Sequence, residues 1–332
     1  MKHALVVGSG SIAQRHIRNL RKLFPDAEIA CVSSSGRHIV ASDIGVNFVY
    51  ESIEAAVLNK PDIAIVASPA THHLEYAKTI LKANIPVLIE KPLCVECSEL
   101  SHFPYDASNR KIAVGYNLRF MPTAIVVKDI IDSGKLGRIS TAFAEVGQYL
   151  PDWRPDTDYR KGVSAQTRLG GGALLELSHE LDYLNWFFGK FSDVSAVMRS
   201  SGILDIDVED SVDALIINHS GVVFHLHLDF LQRKPTRFFK IVGEKSNLIW
   251  DLIKNEVLMQ GKDSVEEIVF RDPSYDRNEM YVDQLRGFIS YAAGNGDGNT
   301  TFSSSIEVMR LIEAIRISSS EKKWVKVGAK HE

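Results

Sequence analysis

The chain has 332 residues, 45% of them hydrophobic and 24% charged, an ordinary globular composition with room for about two domains. Its 38 basic and 42 acidic residues give a formal net charge of −4, so no basic field invites a nucleic-acid partner. No apolar run approaches the roughly 18 residues of a membrane span, the run 4–7 is too short for a signal-peptide core, and three cysteines suit a reducing compartment, so a cytoplasmic protein is expected.

From the start to about residue 120, short apolar runs alternate with amphipathic stretches. The runs 4–7, 29–32, 46–49, 63–67, 87–89 and 112–114 have strand length and are rich in β-branched residues. Helix-like segments fall at 12–23, 53–58 and 74–81, and in the first of them Ile12, Ile17, Leu20 and Leu23 share one broad face. Such alternation predicts a doubly wound parallel sheet with helices on both faces. Beyond residue 120 the texture changes. A loop over 150–168 is rich in Pro, Trp, Arg and Asp, and Gly170-Gly171-Gly172 opens a helix-like segment that runs to Leu184. Past Ser192 the chain becomes strand-rich. Over 222–230 the pattern has period two, with Val222, Phe224, Leu226, Leu228 and Phe230 on one side and His225, His227 and Asp229 on the other. This predicts an antiparallel strand, and Gly221 marks a hairpin turn from 214–219. The segment 306–317 returns to helical spacing, and 294–299 reads as a flexible loop. The expected architecture is α/β. Residues 1–120 are expected to form one domain around the parallel sheet, and 121–332 an α+β domain with a large, open, mainly antiparallel sheet.

Gly8-Ser9-Gly10-Ser11-Ile12-Ala13 lies between the first predicted strand and the first predicted helix. The first glycine permits a tight turn and the second lets a pyrophosphate approach the backbone. The third position, Ala13, is small enough for helix and strand to pack. Ser11 and Ile12 then begin a helix whose N-terminal N–H groups face phosphates, as in a Rossmann fold. A mere tight turn is the plain alternative, and the position between strand and helix weighs against it. The second predicted strand ends in Val32-Ser33-Ser34-Ser35-Gly36-Arg37. No carboxylate stands there to hold a ribose 2′-hydroxyl, while Ser33, Ser34 and Arg37 suit a 2′-phosphate. NADP(H) is therefore favoured; NAD(H) is the cofactor if Arg37 is merely solvated. Later strand ends bring Ser68-Pro69 with His73, Glu90-Lys91-Pro92, and Tyr116-Asn117-Leu118-Arg119. In a parallel sheet these ends share one edge, where ligands bind.

Hydride transfer from an alcohol needs a group to take the hydroxyl proton. Lys91, ending an apolar run with Glu90 beside it, is the first candidate; a solvated surface lysine is the alternative. The second is His179, with Glu176 and Asp182 at spacings of three along one predicted helix and Tyr183 four residues on; a buried structural histidine is the alternative there. Trp153, Arg154, Tyr159 and Arg160, in the loop 150–168, are candidate substrate contacts together with Tyr116 and Tyr183, or else anchor that loop. Cys94 and Cys97 have redox-motif spacing without a fitting context, and His225 and His227 have no obvious third ligand, so no metal is expected.

At Gly8–Ala13, Ser68-Pro69 with His73, Glu90-Lys91-Pro92, Tyr116–Phe120 and the glycine triplet leading to His179 and Asp182, the sequence resembles the glucose–fructose oxidoreductase / inositol dehydrogenase / rhizopine-catabolism (Gfo/Idh/MocA) family. The resemblance covers nearly the whole chain. It implies a Rossmann domain plus an open-sheet domain, a nicotinamide cofactor, and a sugar, polyol or sugar-derivative substrate. Lys91 matches the family's catalytic lysine and His179 its helix histidine, and the open sheet is implied to form a homodimer or homotetramer interface. Two departures stand out. Leu175 occupies a position where the family often has Asp, leaving Glu176 as the nearest acid, and the usual acid after the second strand is missing. The expected activity is a dehydrogenase or reductase. A dinucleotide-sensing regulator, or an enzyme using the bound dinucleotide for transient oxidation in epimerisation or glycoside cleavage, are the other readings.

Overall fold

The computed structural model describes residues 1–34, 36, 38–104, 111–262, 266–296 and 300–329. Two compact units emerge, Met1–Asn117 with Arg277–Ile306, and Leu118–Asp276 with Glu307–Glu332.

The first unit opens with β1 (His3–Val7), α1 (Ser11–Leu23), β2 (Glu28–Val32), α2 (Ala41–Ile44), β3 (Phe48–Tyr50) and α3 (Ile53–Val57). It continues with β4 (Ile63–Val66), α4 (His73–Lys82), β5 (Val87–Ile89) and β6 (Ile112–Val114). The strands lie in the order β3-β2-β1-β4-β5-β6 and every pairing is parallel. Strands β4 and β5 are buried along their whole length, which is why they read as unbroken apolar runs. Chain order reverses between β1 and β4, the topological switch point of this sheet. Helix α1 lays Ala13, Ile17 and Leu20 onto the core beside Ala4, Val6 and Ile65. The third strand starts two residues later than the apolar run 46–49 predicts. Val46 is buried without joining the ladder, because its N–H is taken by the Ala41 carbonyl.

The second unit comprises α5 (Pro122–Asp132), β7 (Ile139–Gly147), α6 (Ala173–Glu176), α7 (His179–Phe188), β8 (Phe191–Arg199), β9 (Ser211–Asn218) and β10 (Val223–Asp229). It goes on with β11 (Thr236–Gly243), β12 (Asn247–Asp251), β13 (Glu256–Gln260) and β14 (Glu266–Arg271). In chain order α8 (Glu279–Ala292), which belongs to the first unit, comes next, then α9 (Phe302–Glu321) and β15 (Val325–Lys326). The nine-stranded sheet runs β14-β13-β12-β11-β7-β10-β9-β8-β15. Strand β10 is antiparallel to β9, as expected, but parallel to β7 on its other side. Its alternation is real: Val222, Phe224, Leu226, Leu228 and Phe230 are all buried. Gly221 turns the β9–β10 hairpin at φ +81°, with Asn218 accepting the N–H groups of Ser220 and Val222.

Two expectations need correction. A single boundary at residue 120 misses Arg277–Ile306, which belongs to the first unit because α8 buries Leu285 and Phe288 in that unit's core. The predicted helix running to Leu184 is two helices. Between α6 and α7 the bonding tightens to i→i−3, with Ser178 N–H on the Leu175 carbonyl and Glu180 N–H on that of Leu177. Glu176, His179 and Asp182 therefore do not form one stripe. Of the loop 294–299, residues 297–299 lie outside the described residues.

Candidate active site

The glycine turn after β1 is held by its neighbours. Gly8 donates its N–H to the Val32 carbonyl at 2.8 Å. It sits at φ +118°, and a Cβ there would lie 2.8 Å from the Ala67 carbonyl carbon and nearer still to its oxygen. Only glycine lets the ends of β1, β2 and β4 close together in this way. Beneath it Cys31 donates its thiol to the Gly8 carbonyl at 3.3 Å; burial pushes this thiol up to about 11, so it remains a protonated donor. Gly10 differs: it is the extended N-cap of α1, and an added Cβ would meet nothing within 4 Å. No side chain caps α1 and no acid occupies its first turn, where Ser11 and Ile12 stand. Ala13 is completely buried, letting this helix end press against β1. An uncapped thirteen-residue helix behind an open glycine fits a dinucleotide's pyrophosphate, through its N–H donors and its positive dipole end. Ser33 and Ser34 follow β2, half-buried, and the Ser33 hydroxyl oxygen is buried with no hydrogen-bond partner among the described residues. Arg37 lies outside the described residues.

At the ends of β4 and β5 most polar groups face inward. His73, at the start of α4, was expected at the cofactor; instead it is wholly buried, with Nε2 2.9 Å from the Ser68 carbonyl and Nδ1 2.8 Å from that of Pro92. Burial pushes its pKa down, against the pull of both carbonyls. Its physical work is to brace the Ser68-Pro69 turn against the Lys91-Pro92 turn. Glu90 is likewise buried: Oε1 stands 2.6 Å from Nε2 of His16, and Oε2 accepts the Lys91 backbone N–H at 3.1 Å. Burial alone raises the Glu90 carboxyl, but the hydrogen bond and charge of His16 and the charge of Lys91 leave it below the usual carboxylate range. Lys91 itself is half-buried at the carboxyl end of β5. Asn117 is buried, and Tyr281 stands on α8. The Arg15 guanidinium sits 4.5 Å from the centre of the Tyr281 ring. Tyr116, expected to touch substrate, has no exposed surface and belongs to the core.

In the second unit His179 begins α7 and is half-buried. Glu176 accepts the Ser164 hydroxyl at 3.1 Å. Asp182 is fully buried and held by two bonds from Arg119, of 2.8 and 2.6 Å. That pair corrects two expectations: a carboxylate saturated by a buried guanidinium is no proton shuttle, and that guanidinium has no surface for a cofactor. Tyr183 is core as well, among Phe187, Phe239 and Trp250 with ring centres 5.3 to 5.6 Å away. In the loop, Trp153 donates to the Gln148 carbonyl and packs edge-on to Phe230. Arg160 is paired with Asp158 and Asp205, and the Tyr159 hydroxyl accepts the Asp205 N–H, while Arg154 is exposed. Trp153, Tyr159 and Arg160 thus fasten the loop.

The sequence reading missed His16, Arg15 and Tyr281. A histidine within the buried stripe Ala13, Ile17, Leu20 of α1 was the available signal for the first. It also missed the pair of buried Glu180 with half-buried Arg237, at 2.7 Å. On the open sheet face a concavity of about 430 Å³ is lined by Phe143, Val197, Leu215, His227 and Phe238 among others. There His225 stacks on Phe143 at 4.5 Å, and His227 bridges Asp213 and Asp229 at 2.7 and 2.8 Å. Those carboxylates, Asp229 first, push the His227 pKa up to about 9. Cys94 is buried and Cys97 half-buried. Among the described residues no cluster of three or more His, Cys, Asp or Glu side chains is placed to hold a metal, and no helix is long and apolar enough to cross a membrane.

Residues 2–116 match the model of the GFO_IDH_MocA oxidoreductase family with its NAD-binding Rossmann fold, and residues 125–249 match the GFO/IDH/MocA C-terminal domain. Levoglucosan dehydrogenase of Pseudarthrobacter phenanthrenivorans is 24% identical over 82% of both chains. 1,5-Anhydro-D-fructose reductase of Ensifer adhaerens is 23% identical over 89% of this chain and 90% of its own. Among solved structures, levoglucosan dehydrogenase in complex with NADH shares the fold with a TM-score of 0.85 at 19% identity, over 98% of this chain and 99% of that one. The uncapped glycine turn, the six parallel strands and both domain matches agree: the chain belongs to the Gfo/Idh/MocA family and is an oxidoreductase with an NAD-binding Rossmann domain.

Proposed function

We propose that the protein transfers hydride between a nicotinamide dinucleotide, NADP(H) by preference, and a secondary alcohol or the matching ketone of a sugar, polyol or nucleotide-linked sugar. The observation that carries this reading is the carboxyl edge of the parallel sheet. There the open Gly10 turn, Ser33 and Ser34, and Lys91 all stand at strand ends around the β1/β4 switch point. The relatives named above act, by their names, on levoglucosan and on 1,5-anhydro-D-fructose, which supports a sugar-like substrate. The preference for NADP(H) rests on the hydroxyls after β2 and on the absence of a carboxylate there.

When bound, the nicotinamide ring supplies a two-electron acceptor or donor. In the oxidative direction the carbinol C–H breaks and its electron pair leaves as hydride. The hydroxyl proton passes to the Lys91 amine, and the carbon–oxygen double bond forms. In reduction the Lys91 ammonium returns that proton. His179 is the second proton-transfer group in this reading. The open sheet face of the second unit, with exposed Val197 and Leu215, pairs copies of the chain into a homo-oligomer. Fluorescence titration with NADPH and NADH, followed by a screen of sugars and nucleotide sugars at the nicotinamide absorbance, tests the reading. Lys91→Ala should leave dinucleotide affinity within about threefold while turnover falls roughly 100-fold or more, the scale of lost acid–base help. An undiminished rate removes Lys91 from the chemistry.

A further inference from the structure

Helix α1 carries a histidine where its buried stripe calls for an apolar residue. His16 lies one turn beyond Ala13, wholly buried, with Nε2 2.6 Å from Glu90 Oε1. The carboxylate spans two elements: one oxygen meets α1, and the other accepts the backbone N–H of Lys91 at 3.1 Å. A second feature shows how closely that carboxylate is placed. At Gly115, just beyond β6, an added Cβ would stand 2.7 Å from Glu90 Oε2 and 3.0 Å from the Glu90 Cα, so this glycine leaves the carboxylate its room.

We propose that His16 is a positioning residue for the proton-transfer lysine. Through Glu90 it ties the turn that presents Lys91 to the helix whose open N-terminus takes the dinucleotide. The inference rests on the reading of Lys91 and of the α1 N-terminus given above. Coulomb energy alone does not explain the pair, because burying a carboxylate costs several kcal/mol unless its partners are in place. An apolar pair of the same size would hold this core as well, but only an acceptor with two oxygens fixes both the helix and the Lys91 amide. The charged and titratable groups around Glu90 are His16 on α1, Lys91 beside it, His73 on α4 and Tyr281 on α8. Of these, His16 gives the largest pull toward the carboxylate form. Without it, burial moves the Glu90 carboxyl upward, and the carboxylate is lost at a higher pH than in the native protein.

Four variants of the full chain separate the possibilities: His16→Ala, His16→Gln, Gly115→Ala and Lys91→Ala. Gln offers an amide nitrogen near the place of Nε2, and so should restore the bond to Glu90. The first readout needs no substrate: hydrogen exchange at the Lys91 amide, followed by NMR. His16→Ala and Gly115→Ala should speed it by about tenfold, the worth of one buried hydrogen bond, and His16→Gln should return it to within about threefold. The second readout is the pH profile of kcat with the best sugar from the screen. In His16→Ala and Gly115→Ala the acid limb should move to higher pH and kcat should fall more than KM changes, with NADH affinity within about threefold. In His16→Gln the limb should return. A purely structural His16 would lower the folded fraction of His16→Ala without accelerating the Lys91 amide selectively or moving the limb, and that result overturns the proposal. If Lys91→Ala turns over normally, it is the reading of Lys91 that falls, while the exchange result still decides whether His16 holds the turn.

Discussion

The two glycines of the first turn have the same residue type and opposite reasons for it, so an alanine at each should give opposite results. At Gly8 the side chain is excluded by the fold. The position lies at φ +118°, and a Cβ would overlap the Ala67 carbonyl. The backbone conformation costs an L-residue about 1–2 kcal/mol and the overlap about 1–3 more, so Gly8→Ala should lose about 2–5 kcal/mol of stability. At Gly10 the fold has no objection. The backbone is extended at φ −71°, and nothing lies within 4 Å of the added carbon. Alanine there reduces unfolded-chain entropy, a gain of about 0.4–1 kcal/mol, and is a poorer N-cap than glycine by a similar amount. The two effects cancel to within about 1 kcal/mol, and stability should stay put. The methyl group would then stand where the pyrophosphate must reach the α1 N–H groups, and dinucleotide affinity should drop by about 10- to 100-fold, the loss of one or two charge-assisted hydrogen bonds. Urea unfolding and NADH fluorescence titration measure both quantities on the same samples. Full NADH affinity in a normally folded Gly10→Ala variant would refute the placement of the phosphates at α1.

The other expectations concern specificity, stability and pH. Ser33→Asp puts a carboxylate after β2 and should shift the NADPH-to-NADH affinity ratio toward NADH by about tenfold, from repulsion of the 2′-phosphate and capture of the 2′-hydroxyl; an unchanged ratio in paired titrations removes Ser33 from cofactor choice. Arg119→Ala strands the buried Asp182 carboxylate and should cost about 3–5 kcal/mol in urea unfolding. The double variant Arg119→Met with Asp182→Leu should recover most of that loss, and simple additivity of the two single losses would show that the pair is not coupled. His227, held between Asp213 and Asp229, has its pKa raised from 6.5 to about 9. Its contribution is therefore fully present below pH 6.5 and lost as the pH rises toward 9. Because the side chain is about one third exposed, the effect should be about 1–2 kcal/mol; His227→Gln should flatten the stability profile in that window, and a variant with an unaltered slope would exclude His227 as its source.

What was legible in the sequence follows from which forces act locally. The inner strands of the parallel sheet were visible because strands buried on both faces, such as β4 and β5, need apolar side chains at every position, a pattern that survives without knowledge of neighbours. The edge strand β3, with Phe48 exposed, instead begins two residues later than its apolar run. The glycine turn was legible for a similar reason, since Gly8 answers to a backbone angle. The β10 alternation predicted its buried face correctly and its pairing only on one side, because period two reports faces and says nothing of direction. The return of α8 to the first unit was invisible: an amphipathic helix fits any core, and Leu285 and Phe288 carry no address. The split between α6 and α7 was hidden as well, since Leu177 and Ser178 are ordinary helix residues and only hydrogen bonding shows the break. Among site residues, strand-end position could not distinguish polar groups that face the edge from those that face the core. His73, Glu90, Asp182, Arg119, Tyr116 and Tyr183 all proved to be buried.

That inward-facing set has a common logic. Stability alone does not require polar groups in these places, since apolar replacements for buried charged pairs are often neutral or stabilising. Nor are they scattered. In the first unit, His73 joins the turn after β4 to the turn after β5, and Glu90 joins the turn after β5 to α1. Each link ends on a backbone or side-chain atom within three residues of a strand's carboxyl end, and each is directional, as apolar packing is not. Hydrophobic contact would bring these turns together and leave them free to slide by fractions of an ångström; a hydrogen bond between buried partners fixes distance and angle, because missing it exposes both groups to an unsatisfied interior. Acid–base chemistry tolerates little such slack, as a proton donor displaced by 1 Å loses much of its rate advantage. The polar interior of the first unit is therefore best understood as the rigid mount of its carboxyl edge, and substitutions there should loosen catalysis before they loosen the fold.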